Sequence, residues 1–326
     1  TQYLNINVST LTKNLDATMA LVHEKLMKPA FIESEFDRNK NNAIQSVINS
    51  KKDAGYLAST AYRQLLQADN IAAISSQGSE ESLNNITLAD VKAFYQQHVK
   101  PANSQLIVVS DLKEKAVVES LNVFSAWQGK GKSLVLSLAE PDTQAGVIYL
   151  VHKEGAAQSA IRIGKRSITQ DIMGEYYKSY LMNFTLGGAF NSRINLNLRE
   201  DKGYTYGAGS GFSADKFSGT YTAYAEVRAD VTDKSIVEFV NEIKGYREKG
   251  ITAEELSFMR NAINQKDALK YETPRAKLGF LAQILEHDLT PSFVKERAEI
   301  VATISTKEIN ALAKKHLNLA EMIMVV

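Results

Sequence analysis

The stretch with the most chemical potential reads Leu186-Gly187-Gly188-Ala189-Phe190-Asn191-Ser192-Arg193 and continues through Leu198-Arg199-Glu200-Asp201-Lys202-Gly203-Tyr204-Thr205-Tyr206. Arg199, Tyr204 and Tyr206 place one cation and two phenols within eight residues, next to the flexible backbone of a glycine pair. A guanidinium stays charged at any working pH and offers a fork of N–H donors. Such donors suit the polarisation of a carbonyl, because a group already aimed at an oxygen gains energy as charge grows there. They equally suit the holding of an extended peptide.

The elements around this stretch must position those groups. Met173, Tyr177, Tyr180, Leu181 and Phe184 follow helical spacing, and that helix stops at Gly187. A short second helix runs into Arg199, and Gly203 ends it. A strand of small and aromatic residues follows, so that 204–214 and 219–227 read as a hairpin joined at 215–218. Plainer readings stand beside the chemical ones. Arg199 could simply complement a helix C-terminus, and Tyr206 could be a strand aromatic packed on a neighbour. Tyr204 reads as a packing residue, yet it rivals Tyr206 for the reactive hydroxyl. Arg193 is expected to form a salt bridge within its own domain. A phosphate loop at Gly187-Gly188 would need a following Lys-Ser or Lys-Thr, which is missing.

The bulk composition narrows the function classes. The 326 residues carry a net charge of +1 with no basic face, which speaks against a nucleic-acid partner. With 44% apolar residues, two domains of ordinary size can bury their cores. There is no cysteine, hence no disulfide, thiolate metal site or cysteine nucleophile. No apolar run approaches the roughly 20 residues that span a bilayer. The first residue is Thr1 and 1–8 already alternates like a strand, so the chain reads as a piece of something longer.

Further elements follow from pattern. Leu11, Leu15, Met19, Val22 and Leu26 mark a helix stopped by Pro29, and more helices are expected at 33–52, 57–68, 88–98 and 113–124. Short strands are expected at 105–109, 146–152, 158–165 and 322–326, and a helix around Ile236, Phe239, Val240 and Ile243. Thr87/Asp90, Thr252/Glu255 and Ser305/Glu308 have capping-box spacing.

The two halves of the chain repeat. Ile86-Thr87, Asp90-Val91, Ala93, His98 and 106–108 match Ile304-Ser305, Glu308-Ile309, Ala311, His316 and 324–326 at an offset of 218. Val8, Phe31 and Glu35 match Val227, Ile251 and Glu255 at offsets of 219 to 220. The front of the second half, about 146–226, has no counterpart before Thr1. The expected organisation is therefore 1–130 as the second part of an incomplete lobe, 131–144 as a linker and 145–326 as a complete lobe. His98 and His316 sit at equivalent repeat positions near helix ends, where a capping role is expected.

The run Leu-Gly-Gly-Ala-Phe-Asn-Ser-Arg-Ile at 186–194 and Leu-Arg-Glu-Asp-Lys-Gly-Tyr-Thr-Tyr at 198–206 resembles the insulinase/pitrilysin family of zinc metallopeptidases. The resemblance extends over the whole chain, including the tandem lobes and the Gly250-Ile251-Thr252 helix start. It implies an α+β fold of tandem lobes, each a largely antiparallel sheet with helices on one face. It implies that Arg199 and Tyr206 bind substrate and stabilise an oxyanion opposite a zinc ion, while Gly187, Gly188, Phe190 and Tyr204 line the substrate chamber. The family's metal motif is His-x-x-Glu-His with a distant glutamate. None of His23, His98, His152, His287 and His316 belongs to such a motif, and 38–52 lacks any Asp or Glu. The resemblance thus implies the C-terminal part of a zinc endopeptidase, whose metal is held by a missing N-terminal half or a partner subunit. Its substrate would be a peptide or unfolded polypeptide, and this part alone would be inactive. The alternative is a non-catalytic scaffold or peptide-binding subunit of the same fold. The resemblance also suggests a periplasmic setting, with the cytoplasm as the alternative.

Overall fold

The computed structural model describes residues 3–67, 70–130, 145–268 and 271–326; the expected linker at 131–144 lies outside them. In chain order the helices are α1 (Leu15–Met27), α2 (Glu33–Ser50), α3 (Ala54–Gln67), α4 (Glu80–Asn85), α5 (Leu88–His98) and α6 (Glu114–Leu121). After strands β1 (Ile148–Tyr149) and β2 (Gln158–Ser167) come α7 (Glu175–Asn183) and α8 (Arg193–Asn195), then β3 (Thr205–Ala214) and β4 (Gly219–Arg228). Helices α9 (Thr232–Lys249), α10 (Ala253–Ala268), α11 (Pro274–His287), α12 (Phe293–Thr303) and α13 (Thr306–His316) lead to β5 (Ile323–Val325).

The chain divides into two compact units. The first comprises Thr1–Ile48, Ser76–Val135 and Lys270–Glu286; the second comprises Asn49–Ser75, Leu136–Leu269 and His287–Val326.

 It is the second unit that carries the sheet and most of the buried apolar side chains. Its five strands run in the order β1-β5-β2-β4-β3, antiparallel throughout except for the parallel β1/β5 pair. Strands β2 and β4 pair over ten residues, from Gln158 opposite Arg228 to Ser167 opposite Gly219. Alternation decides the faces. Ile161 and Ile163 of β2 join Tyr221, Ala223, Ala225 and Val227 of β4 in the main core. Leu181, Phe239, Ile243, Met259, Val301, Ile309 and Ala313 cover that face from α7, α9, α10, α12 and α13.

The opposite face of β2 carries α3. Ala58, Tyr62 and Leu66 pack there on Ala160, Ile323 and Val325. Gly164 makes this contact possible: a Cβ there would lie 1.9 Å from the Tyr221 carbonyl oxygen and 2.3 Å from the Tyr62 hydroxyl. The Tyr62 hydroxyl instead donates to that carbonyl at 2.9 Å, and burial pushes its pKa up.

Local signals hold closely at the helix starts. Thr87/Asp90 and Ser305/Glu308 form reciprocal capping boxes, and Thr252 and Glu255 bond each other's backbone N–H. The strands at 158–165 and 219–227 form in full, but 146–152 yields only Ile148–Tyr149, and no ladder is assigned at 3–8 or 105–109. A strand needs a neighbour to bond, and alternation reports only which side chains would face a core.

The first unit contains α1, α4, α5, α6 and most of α2 and α11. Phe31 packs edge-on against Tyr95, and His23 against Phe124. Among its described residues the fully buried apolar side chains are Met19 and Val47.

Candidate functional site

The site is built at the edge strand of the second unit. Helix α7 passes into a wide π turn, Phe184–Gly188, which brings its backbone alongside β3. Gly187 is buried there, and a Cβ on it would lie 2.4 Å from the Ser210 nitrogen. From the other side, a Cβ on Gly209 would lie 2.9 Å from the Gly187 oxygen. Only glycine permits this backbone-to-backbone approach. Asn183 secures it: its Nδ2 donates to the Ser210 carbonyl at 2.7 Å, and its Oδ1 accepts from the Ser210 hydroxyl at 2.6 Å.

Side chains also occupy other backbone groups of β3. The Tyr176 hydroxyl donates to the Phe212 carbonyl at 3.2 Å, and the Ala208 N–H donates to Asn195 Oδ1 at 2.9 Å. Edge strands left bare invite pairing with other chains. Here the middle of the edge is covered, and the exposed portion is its bulged start.

That bulge falls between Thr205 and Ala208, where the pairing with β4 shifts register. The Thr205 hydroxyl donates to the Glu226 carbonyl at 2.6 Å and accepts from the Gly207 N–H at 3.1 Å. Bulges re-aim side chains. Tyr206, in this one, is 94% exposed.

Arg199 lies in a second π turn, Leu196–Asp201. Gly203 closes that turn at a φ of 63°, and the Tyr204 N–H reaches back to the Leu198 carbonyl at 2.9 Å. The Arg199 guanidinium carbon stands 4.5 Å from the centroid of the Phe190 ring. Its Nε lies 3.5 Å from Glu200. Phe190 is 65% exposed, so the pair forms a ridge of aromatic face and cation.

The remaining expected residues separate by role. Gly188 is exposed beside the ridge, whereas Gly187 is enclosed. Tyr204 is half-buried, and its carbonyl accepts from the Arg228 N–H at 3.2 Å. Arg193 turns inward: it bonds both Glu255 oxygens at 2.5 and 2.6 Å and the Gly250 carbonyl at 2.9 Å, and it stacks 4.7 Å from the Tyr246 ring centroid.

A sequence profile described as the peptidase M16 inactive domain matches residues 85–263, which include the whole ridge, the bulge and both π turns. The chain belongs to the peptidase M16 inactive-domain family. A relative from Helicobacter pylori named non-peptidase homolog YmxG is 23% identical over 324 residues, covering 99% of this chain and 74% of its own. A Rickettsia felis relative named an uncharacterized zinc protease is 23% identical over 240 residues, covering 73% of this chain and 57% of its own. The crystal structure of a peptidase M16 inactive domain from Pseudomonas fluorescens shares the fold with a TM-score of 0.86 at 24% identity, over 96% of this chain and 74% of that one.

Among the described residues, no three His, Cys, Asp or Glu side chains gather where they could hold an ion. His316 Nε2 is 2.8 Å from Glu175 Oε1, and the Lys315 ammonium is 2.7 Å from the same carboxylate. Burial lowers the His316 pKa, while Glu175 acts against that shift. Among the described residues, the donors present do not fit zinc. No helix among the described residues is long and apolar enough to cross a membrane.

Asn183 and Asn195 were not among the expected site residues. A signal existed: each sits at a helical position where the apolar pattern would bury it, and a buried amide must find partners.

Proposed function

We propose that the Phe190–Arg199 ridge and Tyr206 form part of a binding wall for an extended polypeptide. In the parent zinc endopeptidase, Arg199 and Tyr206 would steady the polarised substrate carbonyl. The observation that carries this reading is the Arg199 guanidinium stacked on an exposed ring, together with an exposed phenol in the bulge that starts the edge strand. The stack restricts the arginine through the ring face while its Nε faces Glu200, and Tyr206 is exposed to solvent. Gly188 leaves room for a main chain to approach. The test is titration of a fluorescent unfolded peptide with the whole chain and with Arg199→Ala and Tyr206→Ala. Each substitution should weaken binding; unchanged affinity in both would overturn the reading.

Zinc would then be held on another half of the parent. The first unit supports a missing companion segment. Leu4 and Ile6 hold the repeat positions of Ala223 and Ala225, which are fully buried in β4, yet they are 71% and 56% exposed. Val91 on α5 is likewise exposed, whereas its counterpart Ile309 is enclosed in α13 where that helix packs on α7. A strand and helix patterned like β2 and α7 would cover these positions, at about 1.5–3 kcal/mol for each large apolar side chain buried. Adding a polypeptide with that pattern should release a dye bound to exposed apolar surface, and Ile6→Lys should prevent the release. A periplasmic setting belongs to the same proposal; fractionation of the producing cells separates it from the cytoplasmic alternative.

A non-catalytic reading has its own support in the name of the Helicobacter relative. In a scaffold, substitutions at Arg199 and Tyr206 would alter binding of a partner peptide without any turnover to lose. Peptide cleavage by the metal-loaded parent decides between the two.

A further inference from the structure

We infer that Asn195 is the positioning residue that sets the Phe190–Arg199 ridge against the Tyr206 bulge. This inference rests on the binding-wall reading above and adds the device that holds its parts in register. Three segments carry the site: the turn after the glycine pair, the π turn with Arg199, and the start of β3. No regular ladder joins the first of these to the third, so something else must fix their separation.

Asn183 fastens the glycine pair to Ser210 farther along β3, and at the bulged start of the strand a second buried amide takes this part. Asn195 is 4% exposed and lies four residues before Arg199, directly ahead of the π turn. Its Nδ2 donates to the Phe190 carbonyl at 2.8 Å. Its Oδ1 accepts from the Ala208 N–H at 2.9 Å, at the point where the bulge ends and regular pairing with β4 resumes. The donor/acceptor sense is dictated by the partners, since a carbonyl can only accept and an N–H can only donate. A single side chain thereby connects the backbone beneath Phe190, the helix bearing Arg199 and the strand bearing Tyr206. No other residue type of that size presents a donor and an acceptor at the two ends of one planar group in its neutral form at pH 7, apart from aspartic acid held protonated.

That last equivalence supplies the test. In Asn195→Asp at neutral pH the carboxylate still accepts from Ala208, but it repels the Phe190 carbonyl instead of donating to it. Burial raises a carboxyl pKa, and once protonated the acid restores both bonds. Three quantities are to be followed across pH in the whole chain. They are the NMR shift of the Arg199 Nε–H, which reports the Phe190 ring; hydrogen exchange at the Ala208 amide; and affinity for a fluorescent unfolded peptide. Asn195→Asp should displace the Arg199 signal and weaken peptide binding about fivefold to tenfold at neutral pH, the scale of one lost hydrogen bond. Ala208 exchange should stay slow, and acidification should return both other readings toward wild type. Asn195→Ala should displace the Arg199 signal, speed Ala208 exchange and show no recovery with acid. A thermal midpoint lowered in Asn195→Asp with the Arg199 signal unmoved would reduce Asn195 to a stabilising residue and overturn the inference. If wild type binds no peptide, the binding-wall reading falls by itself, and the Arg199 and Ala208 signals still decide the role of Asn195.

Discussion

Arg199 stands over Phe190, with 4.5 Å between the guanidinium carbon and the ring centroid. The contact orders a long, flexible, half-buried side chain by using the face of an exposed ring. A cation–π contact in such a setting contributes about 0.5–1 kcal/mol. Phe190→Leu keeps apolar bulk but removes the π face. Peptide affinity should therefore fall about twofold to fivefold, with little change in thermal stability because Phe190 faces solvent. Isothermal titration against the same peptide measures it.

Tyr206 is exposed and takes no part in the core, so its hydroxyl can be removed without disturbing the fold. In the metal-loaded parent, Tyr206→Phe should lower turnover by about 10²–10³, the usual cost of one preorganised donor to a developing oxyanion. The Michaelis constant should change much less. Unaltered turnover would remove Tyr206 from the chemistry and leave it as a contact residue.

Gly187 and Gly188 should behave differently on substitution. Alanine at Gly187 would drive its Cβ against the backbone of Ser210, and β3 would have to move. Overpacking of this kind costs about 1–3 kcal/mol. At Gly188 the nearest obstacle is the Asn183 carbonyl oxygen at 3.2 Å, which a small adjustment relieves. Urea denaturation should show a clear drop in midpoint for Gly187→Ala and a smaller one for Gly188→Ala.

The inward Arg193–Glu255 pair predicts an acid limb in stability. Burial alone would raise the Glu255 pKa, but the Arg193 hydrogen bonds and the Thr252 N–H outweigh it and hold the carboxyl below its ordinary 4.5. A folded pKa below the unfolded one gives stability that is fully present above 4.5 and is lost as pH falls through the lower folded value. The stability difference between wild type and Glu255→Gln should thus be constant near neutrality and shrink on acidification. Urea midpoints measured over that range check the sign.

The ends of the elements around the candidate site were legible in the sequence, because local rules fix them. Gly187-Gly188 and Gly203 end helical turns, and the 215–218 turn joins β3 to β4 through Asp215 Oδ1, which accepts from the Phe217 and Ser218 N–H groups. Of the helical pattern, Tyr177, Leu181 and Phe184 are buried, whereas Met173 is half-buried ahead of α7 and Tyr180 is exposed with its ring stacked on Tyr177. The cover over the edge of β3 was not legible. Asn183 and Asn195 serve partners 27 and 13 residues away, and no spacing rule links such positions.

Taken alone, the amino-acid order determined the capped starts of α5, α10 and α13, gave the two halves similar stretches, and set a cation and two phenols beside a glycine pair. Those are consequences of capping, periodicity and backbone freedom, all acting within a few residues. The tertiary structure alone decided that Arg193 turns inward while Arg199 stacks outward on Phe190, and that Gly187 packs while Gly188 stays open. It also decided that α3 crosses to the second face of the sheet, through the space left by Gly164. Each of these depends on which backbone comes within a few ångströms of which side chain, and that proximity arises only when distant segments are packed together.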